Sequence, residues 1–199
     1  MSKKKILIEG WRGINHSYAM VNQYQLLEMQ RMDLELRHLD LPFYNEKWNS
    51  IDNDSGFEED DNQKINSIQT IDSPKNQDVT YRISFPHRLY PAQSEKLFVF
   101  GTSEFQNIDV HIFENRLQEG INNPSLRVVT PSNWSKIGFL KAGFDESRVE
   151  VVPHGVNQKI YKPISDLRRK QCRDALNVLD EDFLILSLGA MTPNKGIDI

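Results

Sequence analysis

The chain has 199 residues, of which 38% are hydrophobic and 26% charged, so enough apolar surface is present for a packed core and global disorder is excluded. A formal net charge of -4 without a Lys/Arg stripe argues against nucleic acid as a partner, because phosphate backbones require clustered cations. No segment approaches the roughly 20 apolar residues that cross a bilayer. Residues 1–5 lead directly into an apolar strand instead of a signal peptide, so we expect a cytoplasmic protein, with peripheral membrane contact left open.

The first forty residues predict a strand, a helix and a second strand. Residues 5–9 form a short apolar run that stops at Gly10, as in a buried parallel strand. From Ser17 onward apolar residues recur at helical spacing, and Ser17 is a suitable helix cap. Residues 34–38 alternate between apolar and polar, which indicates another strand. This order is typical of a Rossmann-like fold with right-handed crossovers.

The segment from residue 49 to residue 76 differs from the rest of the chain, since it is rich in acidic and polar residues. Its apolar content is too low to nucleate a core, so we predict a mobile acidic loop. An alternative is that residues 64–68 form a loose helix beside the sheet.

Four more short apolar runs predict strands, at residues 79–85, 96–100, 126–130 and 149–152. A helix follows the third run, and its predicted buried face consists of Trp134, Ile137, Phe139 and Leu140. We expect this helix to end at Gly143, because glycine accepts the left-handed conformation of a helix cap. Six strands with intervening helices predict an α/β domain that is doubly wound around a parallel sheet.

The predicted domain boundaries place this Rossmann-like domain at residues 1–155 and a linker at 156–164. A second domain begins at residue 165, with a charged helix that is capped by Ser165 and runs to about Leu176. Residues 183–188 form the most apolar predicted strand, which a glycine turn follows. We therefore expect an incomplete second domain at 165–199, with the first strand, turn and helix of another Rossmann-like unit.

Several common nucleotide-site patterns are missing from the sequence. It contains neither GxGxxG after the first strand nor the P-loop pattern, which argues against nicotinamide-dependent enzymes and NTPases. Its five histidines show no zinc-ligand spacing. Glycine turns do follow predicted strands, at residues 10–13, 154–155 and 189–196, where open α/β sheets bind ligands.

The last of these turns suits an anion such as a diphosphate. Lys195 and Gly196 stand at the expected start of a helix, so an ammonium group and backbone amides can converge on one ligand. The alternative is that the glycines merely permit a tight turn and that Lys195 is solvated.

Four segments in order resemble the retaining family-4 glycosyltransferases, which have the GT-B fold. These segments are residues 129–135 (VTPSNWS), 142–144 (AGF), 151–156 (VVPHGV) and 188–196 (LGAMTPNKG). Over residues 1–128 the resemblance rests on the first strand, the turn at residues 10–13 and the helix after it.

The resemblance implies two facing Rossmann-like domains and a retaining transfer of a sugar from a nucleotide-sugar donor to an acceptor, with neither metal nor cofactor. The first domain would recognise the acceptor and the second the donor. Donor-phosphate binding is implied for Lys195, Gly189 and Gly196. The donor and acceptor loop would contain Gly10, Arg12, Gly13 and His16. For His16 a helix-capping role is the alternative. His111 is the implied catalytic residue near the sugar.

The sequence departs from the family pattern in three ways. Ala190 stands where the family has an arginine that pairs with the lysine on the diphosphate. The two glutamates that hold the donor sugar and ribose would lie beyond Ile199, and the acidic segment at 49–76 has no family counterpart. We therefore expect an N-terminal fragment that is inactive alone, with a non-catalytic remnant or binding module as the alternative.

Overall fold

The computed structural model describes residues 3–43, 55–114 and 116–186 of the chain. Its strands are β1 (Lys4–Gly10), β2 (Leu34–Asp40), β3 (Gln69–Thr70), β4 (Val79–Ile83), β5 (Lys96–Phe100), β6 (Leu126–Thr130) and β7 (Val149–Val151). Its helices are α1 (Ser17–Met29), α2 (Glu59–Ser67), α3 (Leu117–Asn122), α4 (Asn133–Lys141) and α5 (Asp166–Ala175). Two 3-10 turns lie at Val110–Phe113 and Glu146–Arg148.

The seven strands of the described residues form one sheet in the order β3-β2-β1-β4-β5-β6-β7, and every neighbouring pair is parallel. This confirms the predicted α/β fold with a parallel sheet. The chain winds outward in one direction from β1 to β3 and in the other from β4 to β7. A topological switch point therefore lies between β1 and β4, where Gly10 is in register with Ile83.

Each face of the sheet carries its own apolar core. On one face α1 and α2 pack over the strands, with a buried cluster of Ile8, Leu26, Leu27, Ile65, Ile68, Tyr81, Ile83 and Phe100. The second buried cluster lies toward α4 and the adjacent loops and consists of Leu89, Leu97, Val99, Phe113, Leu126, Val128, Phe139, Phe144 and Val149. The sheet is thus covered on both sides, which explains its near-continuous apolar strands.

The predicted acidic loop is wrong over residues 55–76, where the structure has α2 and the short strand β3. The alternative helix is confirmed, and it begins earlier than expected, at Glu59. Ile65 and Ile68 are buried against α1, so two apolar residues anchor the whole segment. Glu59, Asp60 and Asp61 occupy the first turn of α2, where negative charge interacts favourably with the helix dipole. Residues 49–54 of the prediction lie outside the described residues.

The start of α1 also differs from expectation, since its cap is His16 and not Ser17. The Nδ1 atom of His16 accepts a hydrogen bond of 3.3 Å from the backbone N–H of Tyr18. The ring nitrogen thus accepts from one of the backbone N–H groups that have no partner within the first turn of a helix. The capping alternative for His16 therefore describes what this side chain does in the structure.

The end of α4 is confirmed, because Gly143 follows the helix with a φ of 106°. The predicted buried face is correct for Phe139 but wrong for Trp134 and Ile137, which are 57% and 40% exposed. The reason is that α4 packs on the sheet through small residues. A Cβ atom on Gly138 would lie only 1.9 Å from the Oγ atom of Ser103, so this face approaches the loop after β5 very closely.

Contacts divide the chain into two compact units, at residues 1–154 and 155–199. In the second unit Ser165 caps α5 by accepting a 3.3 Å hydrogen bond from the N–H of Arg168, as predicted. The predicted strand is wrong over residues 183–186, which pair with no strand of the described chain. Without a partner strand Phe183 and Ile185 stay 91% and 82% exposed. Residues 187 and 188 lie outside the described residues.

Candidate functional site

The carboxyl ends of β1 and β4 meet at the switch point, where open α/β sheets bind their ligands. Gly10 ends β1 at this point. A Cβ atom there would lie 2.9 Å from both the Cγ2 and the carbonyl oxygen of Ile83 and 3.0 Å from Nδ2 of Asn22. Only glycine therefore permits this close approach of β1, β4 and α1.

The turn from Gly10 to Gly13 is fixed by the helix that follows it. The amide nitrogen of Asn22 donates to the carbonyl of Trp11 at 3.0 Å, and the Oε1 atom of Gln23 accepts from the N–H of Gly13 at 3.0 Å. Both amide side chains belong to α1 and are 1% exposed. Gly13 itself has a φ of 72°, which favours glycine. The backbone of this turn is consequently held rigidly before any ligand binds.

Arg12 lies within the turn, and its guanidinium group donates to protein atoms on all sides. It donates to Asp40 through Nε at 2.9 Å and Nη2 at 2.6 Å, and through Nη2 to Oγ1 of Thr70 at 2.8 Å. Its Nη1 atom donates to the carbonyls of Ile65 and Ile68 at 3.2 and 3.3 Å. Since a guanidinium group has five N–H bonds, all of them are engaged. A direct contact from Arg12 to a ligand would require that one of these bonds be broken.

Asp40 also lies next to His38, a buried residue of β2. The Nδ1 atom of His38 lies 3.0 Å from Asp40, and its Nε2 atom lies 3.0 Å from Nδ2 of Asn22. Because this amide nitrogen donates to the carbonyl of Trp11 as well, it is a donor to Nε2, and the imidazole proton resides on Nδ1. Burial lowers the pKa of His38, so the ring is neutral.

The charge of Asp40 is well stabilised. Burial opposes its ionisation, but hydrogen bonds from His38 and Arg12 and the nearby positive charge outweigh burial and hold the pKa of Asp40 far below its usual value. The series from Asn22 through His38 and Asp40 to Arg12 thus links the ends of β1 and β2 through polar contacts of 2.6 to 3.0 Å.

A second buried ion pair joins β1 to β4. The Nε atom of Arg82 lies 2.5 Å from Oε2 of Glu9, and both side chains are at most 5% exposed. Arg82 also donates to the carbonyl of Tyr90, and its guanidinium carbon lies 3.9 Å from the centroid of the Tyr90 ring. Both arginines of the switch point, Arg12 and Arg82, are therefore bound to protein groups.

Four aromatic rings follow one another along this edge of the sheet, and we call Phe43, His16, Tyr18 and Phe85 the aromatic row. The ring centroids of Phe43 and His16 are 5.3 Å apart, those of His16 and Tyr18 6.1 Å, and those of Tyr18 and Phe85 6.2 Å. Phe85 is 39% exposed and the other three rings are half-buried. The hydroxyl of Tyr18 lies 3.0 Å from Oγ1 of Thr102, which fixes the centre of the row to the loop after β5.

The ring of His87 packs against Tyr18 and Phe85 of this row and is 1% exposed. Its Nδ1 atom is 3.2 Å from the carbonyl oxygen of Ser84, and its centroid lies 6.0 Å from that of Tyr18. Burial lowers the pKa of His87 to about 4. His87 is thus a neutral core residue that supports the row.

The structure brings part of the predicted site together. Gly10, Arg12, Gly13 and His16 all lie at the switch point, as the preceding contacts show. His111 lies on a 3-10 turn, is 77% exposed, and has its Nε2 atom 3.9 Å from Oδ1 of Asp109. The donor-phosphate residues Gly189, Lys195 and Gly196 lie outside the described residues.

Sequence reasoning missed the residues that fix the site, namely Asn22, Gln23, His38, Asp40, Tyr18 and Phe85. The sequence does contain a signal for Asn22 and Gln23. They are two adjacent polar residues on a helix that packs on the sheet, where apolar residues are expected, so each needs a buried hydrogen-bond partner. For the others the partner is distant in sequence, so no local pattern identifies them.

Over the described ranges, no group of three or more His, Cys, Asp or Glu residues is placed to hold a metal ion. In the same part of the chain, no helix is both long and apolar enough to cross a membrane.

Comparisons with protein-family models and with curated proteins find no match. Among solved structures, the chain is similar to Anabaena HepE (Alr3699), whose crystal structure is a complex with UDP and glucose. The TM-score is 0.53 at 14% sequence identity, and the match covers 87% of this chain and 50% of the HepE chain. Our chain thus spans about half the length of that protein. At this identity the likeness establishes the shared fold.

Proposed function

We propose that this chain is the acceptor-side domain, with the beginning of the donor-side domain, of a retaining glycosyltransferase that uses a nucleotide-sugar donor. The observation that carries the proposal is the switch point of the parallel sheet, with its rigid glycine turn, in a fold shared with a protein crystallised with UDP and glucose. UDP and glucose are the two parts of a nucleotide sugar. The family-4 resemblance of residues 129–196 supports the same reaction and its retaining course.

In such a reaction the bond from the anomeric carbon to the diphosphate oxygen breaks, and a bond to an acceptor oxygen forms on the same face of the sugar. The acceptor hydroxyl gives its proton to the departing diphosphate oxygen, on which negative charge develops as the first bond breaks. Lys195, with the amides of Gly189 and Gly196, would stabilise that charge as it develops. The rigid turn at residues 10–13 would contact the donor and the acceptor and keep a fixed shape as they bind. His111 is the proposed catalytic residue. We also propose that the protein is cytoplasmic.

Two features bear on how much of this reaction the chain can perform. Ala190 stands where the family pattern has an arginine, so Lys195 would carry the diphosphate contact without that guanidinium group. The chain also spans only half of the HepE chain. We expect residues 1–199 alone to bind a nucleotide diphosphate weakly and to transfer no sugar.

Isothermal titration calorimetry with UDP-glucose and GDP-mannose tests the proposal on the 199-residue chain. We expect Lys195→Ala to weaken binding at least tenfold, because a charge-assisted hydrogen bond contributes about 1.5–3 kcal/mol. Lys170→Ala, on the exposed surface of α5, is the matched control and should leave affinity unchanged. Nucleotide sugars that do not bind, or that bind the Lys195 variant equally well, would refute the donor site. Measurable transfer by the chain alone would refute its inactivity as a fragment.

A further inference from the structure

We infer that the acceptor is a neutral carbohydrate whose ring stacks on the aromatic row. The inference rests on the proposed function, and it assigns a chemical class to the acceptor. Three observations carry it: the placement of the row, the engagement of the nearby arginines, and the mixture of apolar faces and polar edges that the row presents.

The first observation is placement. Phe85 follows β4 and Phe43 follows β2, so the row crosses the carboxyl ends of the strands on both sides of β1. This edge is where the ligand of an open α/β sheet binds. The row therefore borders the rigid turn at residues 10–13, which the proposed reaction places beside the reacting sugar.

The second observation concerns charge. A phosphorylated or carboxylated acceptor would require a cation, and the arginine of the turn, Arg12, has all five of its N–H groups engaged by protein acceptors. The other arginine of the switch point, Arg82, is 2% exposed and paired with Glu9. Burial raises the pKa of Tyr18, and the negative charge of Glu104 raises it further, so the charge that acts on the row from Glu104 is negative. This arrangement disfavours an anionic acceptor and suits a neutral one.

The third observation is the chemistry of the row itself. Pyranose rings present a flat face of C–H groups and a rim of hydroxyls, and a ligand of this shape needs ring faces to cover one side and polar atoms around the edge. Phe85 offers a partly exposed ring, and its neighbour Tyr18 is held in place by the bond to Thr102. The Tyr18 hydroxyl and Oγ1 of Thr102, 3.0 Å apart, are polar atoms at the edge of the row.

The test uses the 199-residue chain and three probes of similar size: methyl β-D-glucopyranoside, sorbitol and glucose 1-phosphate. Sorbitol has the hydroxyls of a sugar but no ring face, and glucose 1-phosphate adds charge to the ring. Binding is followed by NMR shifts of the aromatic resonances of Tyr18 and Phe85. We expect the glucoside to shift both residues and sorbitol to shift neither.

Variants then locate the contact. Phe85→Leu, which keeps an apolar side chain but removes the ring, should weaken glucoside binding about fivefold or more. Phe85→Tyr should restore it. Phe105→Leu is the control, because Phe105 is also an exposed phenylalanine, at 78%, and lies outside the row. Thermal unfolding of each variant, followed by circular dichroism, verifies that the fold is intact.

The outcomes separate this inference from the proposed function. If nucleotide sugars bind but the glucoside does not, or if sorbitol or glucose 1-phosphate binds equally well or better, the neutral-carbohydrate acceptor is refuted and the donor site stands. Equal loss in the Phe85→Leu and Phe105→Leu variants also refutes the role of the row. Glucoside binding without nucleotide-sugar binding supports the row and refutes the donor site.

Discussion

At the scale of single residues, Gly10 controls how closely β1 approaches its neighbours. We expect Gly10→Ala to lower the free energy of unfolding by about 1–3 kcal/mol, because the added methyl group overpacks the contact with Ile83 and Asn22. Urea denaturation measures this change. Gly155→Ala is the control, since a Cβ atom there meets nothing within 4 Å, and it should change stability by less than about 0.5 kcal/mol. Equal effects of the two substitutions would contradict the close approach.

His87 should make stability depend on pH. Its pKa is about 4 in the folded chain and 6.5 in a model peptide, so the unfolded chain binds a proton first as the pH falls. The contribution of the neutral ring is therefore complete above pH 6.5 and is lost as the pH falls toward 4, at up to about 1.4 kcal/mol per pH unit. His87→Phe should flatten this dependence, although the buried His38 retains a share of it.

Urea denaturation of the wild type and the variant across this pH range measures the effect. His111→Gln is the control, because this histidine is 77% exposed. This exposed substitution should change the free energy of unfolding by less than about 0.5 kcal/mol. A variant at His87 that kept the full pH dependence would show that the buried ring is not its source.

The glycine turn was predicted from sequence as a ligand loop, and the structure places it where such a loop belongs. The role of Arg12 could not be predicted in the same way. Its acceptors lie 28 to 58 residues away along the chain, in Asp40, Thr70 and the carbonyls of Ile65 and Ile68. The sequence shows an arginine between two glycines of a turn, at residues 10–13, but only the folded chain shows that its donors are engaged.

At the scale of elements, strands were easier to predict than α2. Strands buried on both faces are short apolar runs, whereas α2 has a polar sequence and is held by very few apolar residues. Its burial depends on the surface of α1, which lies more than thirty residues earlier and which no local window includes. Trp134 of α4 is exposed although its apolar character predicts burial. The small residues Gly138 and Ser135 on the same helix let the other face of α4 pack tightly instead.

The anchoring of α2 by Ile65 is testable. Ile65 is 1% exposed, so Ile65→Ala should cost about 2–5 kcal/mol of unfolding free energy, from lost burial and the cavity left behind. Hydrogen exchange should show faster opening of residues 59–67. Ile137→Ala removes the same atoms from a side chain that is 40% exposed, and it should cost about 1 kcal/mol or less. If both variants lose equal stability, α2 is not anchored in this way.

At the scale of the whole molecule, the four apolar residues at 183–186 dominate solution behaviour. All are 45% to 91% exposed, and exposed apolar segments promote association. We expect sedimentation velocity to show oligomers, and the double variant Phe183→Ser, Ile185→Ser to shift the distribution toward monomer. Phe105→Ser removes an exposed ring elsewhere and should not. A monomeric wild type whose Leu184 and Leu186 amides are protected from exchange would contradict the expectation.

The engagement of Arg12 has a consequence for the acidic segment as a whole. The carbonyls of Ile65 and Ile68 stand at the carboxyl end of α2, where the helix dipole favours a cation. These two carbonyls accept from Nη1 of Arg12, whose N–H groups could otherwise donate to a phosphate oxygen. Excising residues 59–70 would free the N–H bonds of Arg12 that Ile65, Ile68 and Thr70 accept, while Asp40 would still hold its Nε and Nη2 atoms. The end of α2 thus takes the place of an anion at the Nη1 atom of Arg12, and its loss would open those donors to an anionic ligand.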